Sequence, residues 1–407
     1  MKAIGACPAC GSLDGRRVMQ VVTENVSPAD DLVYLHCGRC GLVYSHRQFE
    51  DSAELDECYA APYREADRAE FLKVTTYKAG IHLYRKAWLD AMLRHLEWRP
   101  RHRRTLEIGS KDGSFLKLIS DDGWEAVGID PNAAYGRLAK EIHGVEIRPG
   151  YFGQGTFPPA SFELVSSFHV IEHIQNPNPV LTAVRDVLVP GGFLYLETPN
   201  LHCLQRRQLA KGHVVLYSLA TLTQVLAHNG YEVVASSKNG PGGLLTFDQV
   251  AVLARPTERP AGEWCLGEPF GEAKACLERA LQSNFPSPDR LSLRNRMFHF
   301  AQRFLGDERA LALKSFYLGL RARRRGQQLE KSASRLSVDL SRAAEPVRRD
   351  FLQGALGEGH IQELMRLPDE FVQLKVLARI RALRLSHDQT RDLVDKELSR
   401  TQAVAFP

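Results

Sequence analysis

The chain reads TLEIGSKDGSF at residues 105–115, and this stretch decides the fold of its central region. An apolar, β-prone run leads into a Gly-x-x-x-Gly turn, and a helical segment follows the turn. Gly109 and Gly113 allow the backbone to approach a ligand closely, and the start of the helix favours an anionic group such as a carboxylate. The spacing differs from the Gly-x-Gly-x-x-Gly dinucleotide fingerprint, so it does not favour a bound pyrophosphate.

A second β-prone run ends in an acidic residue, Asp130, about twenty residues beyond the glycine turn. A carboxylate at this strand end can accept hydrogen bonds from both ribose hydroxyls of a nucleoside. The turn and the acid together predict a pocket for a nucleoside that also carries a carboxylate. We expect this pocket at the point where the strand order of the sheet reverses.

Short β-prone runs alternate with helical segments throughout the central region. We predict strands at residues 105–110, 125–130, 145–150, 162–168, 192–198, 231–237 and 246–254. This alternation predicts βαβ units and therefore an α/β fold with a Rossmann-like, doubly wound, seven-stranded sheet. The last two strands follow each other without a helix, which predicts a hairpin and one antiparallel strand at the end of the sheet.

Two Cys-x-x-Cys-Gly sequences lie near the start of the chain and supply four thiols, those of Cys7, Cys10, Cys37 and Cys40. Two such pairs supply the tetrahedral thiolate set of a structural Zn²⁺ site, and the glycine after each pair permits the positive φ of a tight turn. One pair alone would also fit a thiol redox centre. Two pairs within one short segment favour a zinc ribbon, and its filled ligand set predicts no catalytic zinc.

The composition predicts several regions along the 407 residues. They are a zinc ribbon at 1–45, a helical region at 46–104, a ligand-binding domain at 105–255, a linker at 256–290 and an all-helical C-terminal domain at 291–407. Helical periodicity is clear at residues 309–325 and 371–385. These C-terminal helices predict packing or homodimer formation as the default role of the last region.

Apolar and charged residues make up 44% and 25% of the chain, which is ordinary for a globular protein. No apolar run approaches the roughly 20 residues of a membrane helix, and the start of the chain lacks an export signal. We therefore expect a cytoplasmic protein without membrane insertion. The remaining cysteines are expected to be small buried side chains rather than nucleophiles; they are Cys58, Cys203, Cys265 and Cys276.

Residues 105–254 resemble a class I S-adenosylmethionine (SAM)-dependent methyltransferase. They are similar to the quinone and small-molecule O-methyltransferases, and to bacterial sugar methyltransferases that carry an N-terminal zinc ribbon. The segments that carry the resemblance are residues 106–115, 127–131, 161–165, 170–174, 189–194 and 213–230. The sequence departs from the family at Lys111 and Asp112, where Gly-Thr is common, and shows no acidic residue near 150–152 to meet an adenine.

The resemblance implies SAM as a cofactor and assigns its binding residues. Glu107, Gly109, Ser110 and Gly113 would line the methionine end, Asp130 would hold the ribose, and Phe168 and His169 would lie beside the sulfonium. Asp112, Phe115 and Pro131 are further candidates for contact with the cofactor.

A hydroxyl acceptor needs a group that takes its proton, and histidine is the usual one near neutral pH. The candidates are His213, His169 and His173, with Tyr217 nearby in the sequence. His213 is favoured because it lies on the insert where substrates enter in this family. Residues 169–173 also match the H-x-x-E-H metallopeptidase pattern, but the motif follows a buried strand and its Glu-His half fits the methyltransferase pattern.

The sequence favours methyl transfer to a small molecule such as a sugar, a lipid-linked intermediate or a natural product. An RNA methyltransferase is one alternative, since residues 321–325 are basic and could contact phosphate. The chain lacks interleaved aromatic and basic clusters, so nucleic acid is the less favoured partner. A non-catalytic scaffold is the other alternative, and the intact glycine turn and Asp130 are evidence against it.

Overall fold

The computed structural model describes part of the chain. The described residues are 2–3, 5–21, 32–49, 54, 68–210, 212–237, 249–259, 262–282, 363–364, 366–367, 373, 376–377, 380 and 385–404. They fall in two compact units, Met1–Leu329 and Glu330–Pro407. The predicted helix at 309–325, the basic residues 321–325 and Cys58 lie outside the described residues, and the domain boundaries predicted from the sequence stay predictions.

The first unit holds all of the described strands. They are β1 (Lys2–Ala3), β2 (Gly15–Val21), β3 (Leu32–Cys37), β4 (Val43–Ser45), β5 (Arg47–Gln48), β6 (Arg104–Ile108), β7 (Glu125–Asp130), β8 (Glu146–Pro149), β9 (Phe162–Phe168), β10 (Leu188–Pro199), β11 (Val215–Leu216), β12 (Tyr231–Ser237) and β13 (Gln249–Pro256). The described α-helices are α1 (Arg68–His95), α2 (Ser114–Ser120), α3 (Ala133–His143), α4 (Pro177–Val187), α5 (Leu219–His228), α6 (Phe270–Gln282) and, in the second unit, α7 (His387–Val404).

Seven strands form the central sheet in the order β12-β13-β10-β9-β6-β7-β8. Strand β13 is antiparallel to both of its neighbours, whereas the pairs from β10 to β8 are parallel. The predicted α/β sheet with one antiparallel strand is thus confirmed. That strand lies one place inside the edge rather than at the end, because β13 is buried along Gln249–Ala254 and needs a neighbour on each side, whereas β12 is mostly half-buried.

Helices cover both faces of the sheet. Helices α1 and α2 pack on one face, with Trp88 and Phe115 against Tyr195 and Leu253. Helices α4 and α5 pack on the other face, where Leu181 and other apolar side chains join the main core. Coverage of both faces explains why strand β9 is buried along its whole length rather than at alternate residues.

Helix α1 is tied to the sheet by a buried ion pair. Arg85 Nε donates to Glu197 Oε2 of β10 over 2.6 Å, and Tyr195 Oη donates to Glu197 Oε1 over 2.6 Å. Both charges are fully satisfied by partners, as buried charges must be. The contact fixes the helix over the carboxyl edge of the sheet.

A smaller sheet lies at the start of the chain, in the order β11-β4-β3-β2. Strands β2, β3 and β4 form an antiparallel meander, and β1 pairs separately with β5. The fourth strand, β11, comes from the insert between β10 and α5 and pairs with β4. The region predicted as a ribbon at residues 1–45 therefore shares its sheet with the insert.

The described part of the second unit is helical or turn-like. Its buried side chains include Leu364, Val376 and Val394, and Arg366 forms an ion pair with Asp395 over 2.6 Å. Most of the helix predicted at 371–385 lies outside the described residues. Across all described residues, no helix combines the length and apolar character needed to cross a membrane.

Candidate functional site

The candidate site lies where the carboxyl ends of β6, β7 and β9 meet. The glycine turn after β6 is bonded to the end of β7, because Gly109 N donates to Ile129 O over 2.8 Å. Asp130 then accepts from Lys111 N and from Asn132 N, each over 2.9 Å. Asp130 is 8% exposed, and its carboxylate oxygens keep lone pairs that can accept from a ligand.

The glycine turn needs its glycines for backbone conformation and for packing. Gly109 has φ 72° and Gly113 has φ 68°, both in the left-handed region. A Cβ on Gly109 would lie 2.3 Å from Val170 Cγ2, and one on Gly113 would lie 2.8 Å from Val145 Cγ2. The sequence suggested close approach of a ligand as the reason for these glycines, whereas the contacts show that the protein's own side chains also require them.

Several buried polar atoms around the glycine turn have no hydrogen-bond partner among the described residues. They include Glu107 Oε2 and Ser110 Oγ, and both residues are 3% exposed. Burial raises the pKa of Glu107 well above its usual range. Because buried polar groups are normally paired, these atoms are suited to hold polar groups of a ligand.

Helix α1 supplies two residues that sequence reasoning missed. Thr75 Oγ1 donates to Asp112 Oδ2 over 3.1 Å, and Lys78 Nζ lies 3.4 Å from Asp112 Oδ1. Asp112, predicted as a cofactor ligand, is thus held by α1. The signal that could have revealed the two residues is polar side chains at helical spacing on a buried face, continued by His82 and Arg85.

The two aromatic candidates lie in different places: Phe168 is at the end of β9, and Phe115 is in the core behind it. Phe168 ends β9 and lies under the Arg85 guanidinium, whose Cζ is 4.2 Å from the ring centroid. Phe115 is 1% exposed and packs edge-on against Phe168, with centroids 4.7 Å apart. Phe115 is therefore a core residue behind the site, while Phe168 and half-buried Pro131 lie at or just after the ends of β9 and β7.

His169 follows directly after β9 in the left-handed backbone region, with φ 58°. Its Nδ1 lies 3.3 Å from Glu172 Oε1. Its Nε2 lies 2.8 Å from Gln249 Nε2, an amide nitrogen that can only donate. This arrangement places the imidazole proton on Nδ1, facing the carboxylate, while the Nε2 lone pair accepts a hydrogen bond from Gln249.

Glu172 is 1% exposed and joins the candidate histidines. Thr198 Oγ1 donates to its Oε2 over 3.0 Å. Burial raises the pKa of this carboxyl, but the nearby imidazoles, led by His169, outweigh burial and lower the pKa to about 2. Glu172 is therefore ionised at neutral pH and favours a positive charge on a neighbouring imidazole.

His173 and His213 lie next to each other on the insert side, with ring centroids 4.8 Å apart. His173 Nδ1 donates to Gly212 O over 2.8 Å. Burial lowers the pKa of His213 to about 4, so this imidazole is neutral at pH 7. The structure thus brings all three candidate histidines around Glu172. Residues 171–173 form a 3₁₀ turn rather than the helix on which an H-x-x-E-H zinc site depends.

The insert that carries His213 is held by the N-terminal sheet. Tyr34 Oη of β3 donates to His213 O over 3.3 Å, and Ser45 N donates to Val214 O over 2.8 Å. Val214 N in turn donates to Glu172 O over 2.9 Å. The insert is therefore fixed between the N-terminal sheet and the histidine cluster.

The four predicted zinc thiols come together. Cys7 Sγ lies 3.7 Å from Cys40 Sγ, Cys10 Sγ lies 3.5 Å from Cys37 Sγ, and all four lie within 4.8 Å of one another. A tetrahedral ion with Zn–S bonds of about 2.3 Å requires S···S separations of about 3.8 Å. The donor set and its spacing therefore fit a zinc ion.

The two knuckles that carry these thiols have the same backbone geometry. Gly11 N donates to Cys7 O and Gly41 N donates to Cys37 O, each over 2.9 Å. Gly11 has φ 71° and Gly41 has φ 78°. The positive φ predicted after each Cys-x-x-Cys pair is confirmed.

Comparison with known proteins places the candidate site within a recognised domain. Residues 81–236 match the family described as a methyltransferase domain. This range begins inside α1 and extends to the end of β12. It contains the glycine turn, Asp130 and the three histidines.

Several curated relatives share this domain. The "Probable S-adenosylmethionine-dependent methyltransferase" of Mycolicibacterium smegmatis is 29% identical over 148 residues, 35% of this chain and 58% of that protein. The ubiquinone biosynthesis O-methyltransferase of Bordetella avium is 26% identical over 158 residues, which are 37% of this chain and 62% of that protein. The C-methyltransferase NovU of Streptomyces niveus is 27% identical over 173 residues, which are 40% of this chain and 41% of that protein. The relatives also include tRNA U34 carboxymethyltransferases of Shewanella species.

The chain thus spans between 41% and 62% of the length of the first three relatives. Their names cover several acceptors and acceptor atoms. The names therefore agree on neither the acceptor nor the transferred group, since the tRNA relatives are carboxymethyltransferases.

Alanine at Gly109 should destabilise the protein more than alanine at Gly191. Both residues have positive φ, at 72° and 80°, but a Cβ on Gly191 would meet nothing within 4 Å. We expect Gly191→Ala to cost about 1 kcal/mol from the backbone alone, and Gly109→Ala clearly more because of Val170. Urea unfolding of the two variants measures the difference, and equal losses would show that Val170 moves aside freely.

Proposed function

Because residues 81–236 match the methyltransferase domain family, we propose that this region is a class I SAM-dependent methyltransferase and that the chain transfers a methyl group from SAM to a hydroxyl of a small-molecule acceptor. The observation that carries this proposal is the His169–Glu172 pair at the end of β9, directly beside the glycine crevice. A hydroxyl must lose its proton during the transfer, and this pair is built to accept one.

The residues of the crevice fit the donor. SAM supplies a methyl group on a positively charged sulfur, together with an ammonium, a carboxylate and a ribose. Glu107, whose buried Oε2 has no hydrogen-bond partner in the described part of the chain, would hold the ammonium, and Asp130 would accept from the ribose hydroxyls. Ser110 Oγ would provide a further hydrogen bond, and Phe168 would shield the crevice from water on the side of β9.

Two observations favour His169 over His213 as the proton acceptor. His169 Nε2 would take the proton once a substrate hydroxyl replaces the Gln249 amide at this nitrogen, and the Glu172 carboxylate beside Nδ1 would stabilise the imidazolium. His213 has a pKa of about 4 because of burial and is therefore a weak base. The sequence favoured His213, whereas the contacts support His169 as the base and His213 as part of the acceptor wall.

The acceptor side of the crevice supports a small substrate. The insert is held by the N-terminal sheet through β11 and by Glu172 through Val214, so protein bounds this side. The O-methyltransferase and NovU relatives are consistent with such acceptors, and the tRNA relatives keep RNA as the alternative. A cytoplasmic location and a homodimer formed by the C-terminal helices stay predictions.

The Cys7–Cys10–Cys37–Cys40 cluster is proposed to hold a structural zinc ion. All four positions would be thiolates, so the site has no open position for a substrate or water. Zinc would stabilise a segment that has little apolar core of its own. Through β11, it would also hold the insert in place.

Asp130→Ala should weaken SAM binding about 10- to 100-fold, because hydrogen bonds to a charged acceptor each contribute about 1.5–3 kcal/mol. Calorimetric titration with SAM measures the change. Asp186→Ala is the matched control, since Asp186 is exposed at the opposite edge of the sheet and should leave the affinity unchanged. Equal affinity in wild type and Asp130→Ala would remove Asp130 from the site.

His169→Asn should lower kcat about 10²- to 10⁴-fold while the SAM dissociation constant stays the same, because only proton removal is lost. The assay follows labelled methyl into hydroxylated small molecules and, in parallel, into total tRNA. Glu172→Gln should also lower kcat, because the carboxylate that would stabilise the His169 imidazolium during proton removal is lost. If His213→Asn is inactive and His169→Asn is active, the base is His213. If the label is found mainly in tRNA, the RNA alternative is favoured.

The double variant Cys7→Ser/Cys37→Ser should lose about one zinc ion per chain relative to wild type. Metal analysis after gel filtration measures the loss, with Cys265→Ser as the control because Cys265 is an exposed cysteine outside the cluster. We expect weaker acceptor binding with near-normal SAM binding, since the ribbon holds the insert and not the glycine turn. A folded double variant that keeps its full zinc content would contradict the ribbon.

A further inference from the structure

A second group of metal-ligating side chains lies outside both the crevice and the ribbon thiols. It joins the 3₁₀ turn Leu201–Cys203 to helix α6. Its members are His202, Glu272 and Cys276, and one donor atom from each lies within 4.8 Å of the others. The proposed methyl transfer uses none of them, and the sequence predicted Cys276 only as a small buried side chain.

The donor atoms converge from two elements. Glu272 and Cys276 are four residues apart on α6 and therefore share one face of the helix. His202 Nδ1 lies 3.6 Å from Cys276 Sγ and 4.0 Å from Glu272 Oε1. An imidazole nitrogen, a thiol and a carboxylate thus point toward one volume.

His202 is oriented in the way typical of metal-bound histidines. Its Nε2 donates to Glu268 Oε2 over 3.0 Å, which turns Nδ1 toward the cluster. Glu268 is 2% exposed, and its backbone oxygen lies 2.7 Å from His36 Nε2. The orienting carboxylate is therefore fixed in place by a residue of β3.

The guanidinium of Arg279 lies beside two of the donor atoms and places a positive charge there. Arg279 Nη2 lies 3.1 Å from Cys276 Sγ and 4.0 Å from Glu272 Oε1. The Arg279 side chain is 57% exposed, so it can turn into solvent without leaving a buried cavity. A bound divalent ion would bring two positive charges to these donor atoms, in place of the single charge of Arg279.

We propose that His202, Glu272 and Cys276 form a second zinc site. Nitrogen, sulfur and oxygen donors suit Zn²⁺, and three protein ligands leave the fourth tetrahedral position to water. Binding forms the Zn–S bond as the Cys276 thiol releases its proton to solvent. Side-chain exposures of 41% for His202 and 52% for Glu272 give the ion a path to and from solvent.

This site would differ from the ribbon in strength and in effect. The ribbon has four thiolates and no open position, whereas this site has one thiolate and exposed ligands, so its ion should exchange more readily. Its ligands connect α6 to the turn that begins the insert after β10. A bound ion would therefore brace the insert that carries His213.

The test compares the zinc content of the full chain after equilibration with zinc and gel filtration. Wild type should hold about one more zinc ion per chain than Cys276→Ser, a difference that does not depend on the ribbon. Cys265→Ser is the matched control and should keep the wild-type content. Glu272→Gln repeats the test at an exposed position if Cys276→Ser fails to fold, with Glu278→Gln of the same helix as its control.

Arg279→Gln gives a result that a merely structural cluster would not. Removal of the competing guanidinium should tighten zinc binding at this site, measured as slower loss of the second ion to a chelating indicator. Equal zinc content in wild type, Cys276→Ser and Glu272→Gln would overturn the proposal. An unchanged rate of zinc loss in Arg279→Gln would overturn it as well.

Discussion

Parallel pairing of β6 with β7 on one side and β9 on the other is the constraint on which the candidate site depends. Parallel strands point the same way, so their carboxyl ends reach one edge of the sheet. Gly109, Asp130 and Phe168 meet there although they are far apart in the chain. The hydrogen bonds of Asp130 to the backbone of the glycine turn then join two of these strand ends. The crevice is thus a property of the sheet, and loops only complete it.

The N-terminal sheet holds the insert that carries His213. Strand β11 completes that sheet, and Tyr34 and Ser45 bond to the backbone beside it. The Cα pairing of Val215 with Tyr44 fixes the insert in register, so an ion bound by the cysteine thiols would act on the acceptor side without touching a substrate. Helix α6, which follows the insert in the chain, also packs on it. The insert is thus supported by elements that come both before and after it in the sequence.

Local sequence patterns were sufficient to predict the strands of the sheet. They were not sufficient to choose the histidine proposed as the proton acceptor. Strands β7, β9 and β12 begin and end where the sequence predicts them, because periodicity and turn residues act over a few positions. The start of β10 is four residues early because the bulge near Gly191 keeps Leu188 paired. The choice between His169 and His213 depends on Glu172 and Gln249, and the spacing of residues does not report which imidazole meets them.

Residues close together in the chain were enough to predict the strands, the glycine turn, the acid that closes β7 and the four thiols. The strand order and the position of the antiparallel strand depend on pairing between distant segments, so they came from the structure. Tertiary structure alone decided which side chains share a buried space. It brought Thr75 and Lys78 to Asp112, and His202 to α6, across separations in sequence that no local pattern records. The physical reason is that burial and charge pairing depend on distance in space, whereas hydrophobic periodicity depends on distance along the chain.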